Sequence, residues 1–422
     1  MTRVFYCLII AIGILSSCKD SNDKSLTTGA NFISKNVSIR IDTTLEKFVK
    51  SGNIAGVSAL IYENGEEVYF NAFGYADKEA QKKMDRNTIV QIYSMTKPIT
   101  GTALMTLYDQ GKFKLDDSIE KYASEFANMK VYTGVDSLGK ITSEPLVRPI
   151  TIRDLTRHTA GFPNRNTIPG LSEILTKANI YNRETSLTTL AEKLGDMPLW
   201  FQPGTQWEYG PCVDVQAFLV ERISGIPFKD YVRENVLDKL KMNETRYFIP
   251  KEDRARFAAL YRRTGESTLV RDTITYSNYM QEWPLTRGGS GLTSTLDDYM
   301  KFAQMLIHKG SLNGVTILKP ETIDLMATNQ LADSITERNW LPSKGQVGFG
   351  IDFAVRIAPP INDEENNGVV GEFFWDGAAS TLFWVDPVNK ITAVLFVQLF
   401  PYDQIGLHKE FREAIYGKFQ SN

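Results

Sequence analysis

Ile89-Val90-Gln91-Ile92-Tyr93-Ser94-Met95-Thr96-Lys97-Pro98-Ile99-Thr100-Gly101 joins an apolar, strand-like run to the start of a helix. The segment from Pro98 to Gln110 reads as that helix, closed by Gly111. Residues three apart share a helix face, so the Lys97 amine can reach the Ser94 hydroxyl. Ser94 falls at the helix N-terminus, where free backbone N–H groups favour developing negative charge. A serine is a weak nucleophile until a base takes its proton, and a desolvated lysine is such a base. Ser-x-x-Lys occurs five times in the chain, so the spacing alone decides little. Only the Ser94 copy links an apolar run to a helix; those at Ser118 and Ser137 lie in polar, turn-rich sequence.

Working outward, Val57 to Tyr62 and Val68 to Phe73 are strand-like and are separated by Glu63-Asn64-Gly65-Glu66. Asn-Gly between two such runs predicts a hairpin. A second hairpin is expected from Thr381–Val385 and Ile391–Val397, turning at Asp386-Pro387-Val388-Asn389. Ile41, Leu45, Phe48 and Val49 give residues 41–51 an amphipathic helical pattern, and Gln404 to Phe419 reads as a terminal helix. Strands therefore cluster at both ends, around a mostly helical middle from about 98 to 330. The expected class is α+β: one antiparallel sheet made by both ends of the chain, flanked by helices, with a helical inserted subdomain. The active site would lie between sheet and insertion.

The bulk numbers exclude several functions. A formal charge of −3 over 422 residues implies no basic face for nucleic acid. The three histidines lie far apart and no Cys-x-x-Cys pair exists, so no metal or other cofactor is expected. No Gly-x-Ser-x-Gly elbow is present, which disfavours a Ser-His-Asp hydrolase. His158 is better read as structural, Cys212 as a small buried hydrophobe, and Gly288-Gly289-Ser290-Gly291 as a tight turn before a helix at Leu296 to Ile307.

The N-terminus reads as a targeting segment: Arg3, an apolar stretch from Val4 to Leu15, then Leu15-Ser16-Ser17-Cys18. This resembles the lipobox of bacterial lipoproteins, in which the cysteine becomes lipidated. Residues 1–17 would be the signal peptide, 18–37 a flexible tether rich in Ser, Asn, Asp and Lys, and 38–422 the folded domain. The expected location is the bacterial cell envelope, with Cys18 anchoring the chain to the periplasmic or outer-membrane surface. A monomer is expected.

Ser94 and Lys97 need a third group to shuttle the proton and a site for the oxyanion. Two tyrosines qualify by sequence. Tyr276-Ser277-Asn278 lies in an unpatterned polar stretch. Tyr209 ends Phe201-Gln202-Pro203-Gly204-Thr205-Gln206-Trp207-Glu208-Tyr209, an aromatic setting after a Pro-Gly turn. A phenol beside a lysine cation is expected to have a lowered pKa and to act as a base.

Taken together, the chain resembles the serine β-lactamase and penicillin-binding-protein superfamily, nearest class C β-lactamases, the β-lactamase-fold carboxylesterases and the D-amino peptidases. The resemblance spans roughly residues 38 to 420. It rests on Ser94-x-x-Lys97, Pro203-Gly204-Thr205-x-Trp207-x-Tyr209, Thr151-Ile152-Arg153-Asp154-Leu155 running into His158-Thr159-Ala160-Gly161, and Gly289-Ser290-Gly291-Leu292. It implies that Ser94 is the acylated nucleophile and Lys97 its proton acceptor, and it selects Tyr209 over Tyr276. It also implies an oxyanion hole from the backbone N–H groups of Ser94 and Ala378. Two departures stand out. Pro211 occupies the place of the second motif's asparagine, and Trp375-Asp376-Gly377 stands where β-lactamases carry Lys-Thr-Gly. The cation that meets a penicillin carboxylate is then a tryptophan, and Asp376 is expected to repel anionic substrates. The resemblance therefore implies an acyl-serine hydrolase acting on a small-molecule acyl substrate, with esters first. D-amino-acid peptides, β-lactams, or an inactive lipid-tethered binding role are the alternatives.

Overall fold

Two hairpins of opposite chain ends meet edge to edge. In the computed structural model, which describes residues 31–164 and 168–420, the first comprises β1 (Gly56–Glu63) and β2 (Glu66–Asp77). Asn64 and Gly65 both take positive φ (53° and 83°), the backbone twist that a two-residue hairpin turn requires. The sheet continues through β3 (Lys82–Lys83), then β4 (Val347–Phe349), β5 (Ala354–Arg356), β6 (Phe373–Asp376), β7 (Leu382–Asp386) and β8 (Ile391–Val397). Asp386 caps the turn between β7 and β8 by accepting from the N–H groups of Val388 (2.9 Å) and Asn389 (3.0 Å). The strand order is β4-β5-β6-β7-β8-β1-β2-β3 and every pairing is antiparallel. The junction of the two ends is β1 on β8, with Val57 opposite Val397 and Glu63 opposite Ile391. Every residue of β6, β7 and β8 is buried, because helices cover both faces.

The chain divides after Asn31, and this fold belongs to the unit Phe32–Asn422. Its first helix, α1 (Lys35–Lys50), starts earlier than the 41–51 pattern and inside the stretch read as tether. Val37 belongs to the same buried stripe as Ile41, Leu45 and Phe48, and Ser34 caps the helix by accepting from Val37 N (3.4 Å). The polar residues around Val37 masked that stripe in the sequence. The signal, the lipobox and Cys18 lie outside the described residues.

The helix after Ser94, α2 (Thr96–Asp109), is buried from Thr96 to Leu107, which explains its low polarity on all sides. It packs on α3 (Cys212–Ser224), while α4 (Leu296–Ile307) lies across β7 and β8. The middle of the chain is mostly helical, with short strands added: a hairpin of Lys130–Val135 and Ile141–Pro145, and a small sheet of Leu260–Arg263, Leu269–Asp272 and Leu399–Phe400. These strands are too short to show a period of two in sequence.

Candidate active site

Ser94 sits in a tight turn, Tyr93–Met95, that runs directly into α2. Tyr93 is held at φ 46°, a left-handed conformation that a bulky residue adopts only when its surroundings impose it. Two bonds fix the turn. Tyr93 Oη donates to Gln91 Oε1 (2.8 Å), and Tyr299 Oη of α4 donates to Met95 O (2.8 Å). The strained corner leaves Ser94 partly exposed at the mouth of a cavity.

Lys97 lies one turn on and is buried. Its Nζ is 3.3 Å from Ser94 Oγ and donates to Gly289 O at 2.6 Å. Burial strips water from the ammonium and Arg287 adds repulsion, so its pKa is pushed down to about 7, although Asp214 pulls the other way. The Gly289 carbonyl is delivered by a clamped turn. Thr100 of α2 donates to Gly288 O (2.8 Å), and Asp214 of α3 accepts from Gly289 N (2.9 Å). A β-carbon on Gly288 would stand 2.3 Å from Val213 O, so only glycine fits there. The sequence reading took Gly288 to Gly291 as a turn and missed that it holds the lysine.

Tyr209 packs its ring under the lysine, with Lys97 Nζ 4.4 Å from the ring centroid. Its hydroxyl is buried and has no hydrogen-bond partner among the described residues. Burial raises its pKa above the ordinary phenol value, although nearby Ser94 and Trp375 Nε1 oppose the shift. This corrects the expectation of a lowered phenol pKa: removal from water dominates. Tyr209 is a protonated group, and Lys97 is the one base of the pair with a pKa near neutrality. His158 props the tyrosine from behind. Its ring is 4.8 Å from that of Tyr209 and also meets Trp207 (5.9 Å) and Phe349 (5.4 Å). Burial and Lys97 hold His158 neutral, consistent with a structural role. Cys212 is buried and its thiol pKa is raised by desolvation, so it is no nucleophile. Tyr276 packs against Phe257 (5.0 Å), in a cluster apart from the cavity.

The cavity measures about 330 Å³ and is lined by Ser94, Tyr209 and Ala378 together with Trp340, Trp375, Tyr402, Ser343, Lys344 and Asp376. Ala378 stands at the tip of the turn between β6 and β7, which Gly377 closes by donating to Thr381 O (2.9 Å). A β-carbon on Gly377 would come within 2.3 Å of Thr381 Oγ1 and 2.4 Å of Ile92 O. The third motif therefore packs against the chain just ahead of the nucleophile. Trp375 is fully buried and faces Tyr209 (5.6 Å) and Trp340 (6.0 Å), making one wall aromatic and dry. Pro211 sits at the start of α3, where its missing N–H is no loss. Asn164 Nδ2 donates to Tyr209 O (2.7 Å), so an asparagine does stand beside this motif, bonded to its backbone.

Asp376 requires a correction. Its carboxylate is paired with the buried ammonium of Lys344 and accepts from Tyr402 Oη (2.6 Å), so it is no free negative charge. Lys344 ends a short helical turn, Leu341–Lys344. The second motif ties that loop down: Trp207 N donates to Glu337 O (2.8 Å), and Asn339 Nδ2 donates to Glu208 (3.1 Å). No sequence motif marks Lys344. The available signal was that a buried aspartate at a strand end needs a cation. Arg287, which precedes Gly288, pairs with Asp214 (3.2 Å) and does not line the cavity.

Residues 41–417 match the Beta-lactamase family model, and the chain belongs to that family. It is 29% identical over 363 residues to Protein Rv1367c of Mycobacterium tuberculosis (strain ATCC 25618 / H37Rv), covering 85% of this chain and 89% of that one. It is 27% identical over 410 residues to the lovastatin esterase of Penicillium rubens, covering 90% and 99%. Its fold is similar to that of the unliganded selenomethionyl simvastatin synthase (LovD) from Aspergillus terreus, with a TM-score of 0.78 at 23% identity, covering 92% and 100%.

Proposed function

We propose that this chain is an acyl-serine hydrolase that cleaves esters through Ser94, Lys97 and Tyr209. The observation that carries the reading is a buried lysine, with its pKa lowered to about 7, 3.3 Å from a serine at the mouth of an aromatic-walled cavity. Neutral Lys97 takes the Ser94 proton as Oγ attacks the ester carbonyl. The oxyanion is received by the backbone N–H groups of Ser94 and Ala378. The Lys97 ammonium returns that proton to the departing alkoxide, with the Tyr209 phenol donating a hydrogen bond to it; neutral Lys97 then takes a proton from the attacking water and returns it to Ser94 Oγ as the acyl group leaves. Similarity to an enzyme named as an esterase supports this reading. The lipobox-like Leu15-Ser16-Ser17-Cys18 supports a place at the bacterial envelope, held by acyl chains on Cys18.

Esters are favoured over β-lactams and peptides because Trp375 stands where a cation would meet a substrate carboxylate. A charge-assisted hydrogen bond of that kind is worth about 1.5–3 kcal/mol, or roughly tenfold or more in rate. Lys344 does not replace it, since its charge is already neutralised by Asp376. Comparison of kcat/KM for nitrocefin and 4-nitrophenyl butyrate on one preparation tests the assignment. The ester is expected to win by at least about tenfold. Nitrocefin matching it would return the chain to β-lactam chemistry.

A further inference from the structure

The Lys344–Asp376–Tyr402 cluster takes no part in the proton transfers, yet it lines the same cavity as Ser94. Its hydrogen bonds are unevenly distributed. Lys344 Nζ donates to Asp376 Oδ2 and to Tyr402 Oη (2.5 Å), which engages two of the three donors of an ammonium. Asp376 Oδ2 accepts from both partners, while Asp376 Oδ1 accepts nothing among the described residues. Lys344 and Asp376 both line the cavity that holds Ser94. The pair thus keeps one donor and one acceptor oxygen without a protein partner among the described residues, on two side chains that line the same cavity. The pair is held rigidly from behind: Tyr402 Oη lies 3.2 Å from His408 Nδ1, and His408 Nε2 lies 2.7 Å from Ser380 O.

We propose that Lys344 and Asp376 are specificity-determining residues that read a neutral hydroxyl group on the substrate, so that hydroxylated (polyol-type) esters are preferred. The proposal rests on the ester-hydrolase reading above. A hydroxyl both donates and accepts, matching Asp376 Oδ1 and the remaining Lys344 N–H together. A plain alkyl ester leaves both groups unmatched, and a carboxylate, which only accepts, leaves Asp376 Oδ1 unmatched. Trp340 and Trp375 beside the pair offer flat apolar faces for the carbon skeleton that carries the hydroxyl.

The test measures kcat/KM by butyrate release from ethyl butyrate, 2-hydroxyethyl butyrate and the butyrate ester of glycolic acid. 4-Nitrophenyl butyrate against 4-nitrophenyl 3-hydroxybutyrate covers the acyl side. In at least one pair the hydroxylated ester is expected to exceed its parent by about tenfold, the scale of one hydrogen bond to a charged group, and the glycolate ester to fall below 2-hydroxyethyl butyrate. In the Lys344→Met/Asp376→Leu variant that ratio is expected to collapse toward unity, whatever happens to the absolute rate. Wild-type ratios within about twofold of unity in both pairs overturn the proposal, as does a folded variant that keeps the preference. If the variant fails to fold, the wild-type ratios decide alone. A protein that turns over none of these esters refutes the ester-hydrolase reading itself and removes this proposal with it.

Discussion

Lys97→Met separates the lysine's catalytic role from its cost to the fold. The Lys97 pKa falls from 10.5 to about 7 on burial, a drop of 10.5 − 7, or about 3.5 units, which corresponds to roughly 5 kcal/mol between charged and neutral forms as an upper bound. Between pH 7 and 10.5 the unfolded chain holds this proton and the folded chain does not, so stability rises with pH through that window. The slope from this residue approaches about 1.4 kcal/mol per pH unit above pH 7, or roughly 2 kcal/mol from pH 7 to pH 9. Lys97→Met lacks the slope. Urea denaturation of both proteins at pH 7, 8 and 9 should therefore show wild type gaining on the variant by that amount. The same pKa predicts that wild-type kcat/KM on 4-nitrophenyl butyrate falls about tenfold per unit below pH 7 and levels above it, because a protonated Lys97 cannot take the Ser94 proton. The variant should be inactive across the range. A stability difference that does not change with pH, or an activity limb centred near 10, would refute the buried neutral base.

Gly377→Ala should lower kcat/KM by on the order of 10²-fold, because the new methyl collides with Ile92 O and displaces the Ala378 N–H; turnover of the purified variant measures it. Cys18→Ala should convert a membrane-partitioning protein into a soluble one, and mass spectrometry of the native N-terminus should find diacylglyceryl and acyl groups on Cys18. An unmodified cysteine in membrane-derived protein would count against the anchor.

The sheet was legible because its hairpins carry their own local signals. Asn64-Gly65 sets the twist of one turn and Asp386 caps the other, so pattern and turn chemistry agree without tertiary help. Ser94 and Lys97 were legible for a similar reason, since the turn at Tyr93–Met95 runs directly into the helix and keeps them one turn apart. The parts that were missed depend on contacts between distant segments. Lys344 meets Asp376 across a loop whose path is fixed by Trp207 and Glu208, and nothing local to Lys344 records that. Gly289 became a lysine ligand only because Thr100 and Asp214 clamp its turn from two helices. The Tyr209 pKa went the wrong way because the sequence shows a neighbouring lysine but not the depth of burial, which dominates.

The most direct test of the central claim is whether Ser94 forms a covalent bond with an acyl-like reagent. Intact-mass and peptide mass spectrometry after exposure to a 4-nitrophenyl alkylphosphonate should find one adduct, on the peptide containing Ser94. The adduct should be absent from Ser94→Ala and should form faster at pH 8 than at pH 6, as Lys97 loses its proton. No adduct on folded wild-type protein, or an adduct on another residue that persists in Ser94→Ala, would contradict the serine mechanism.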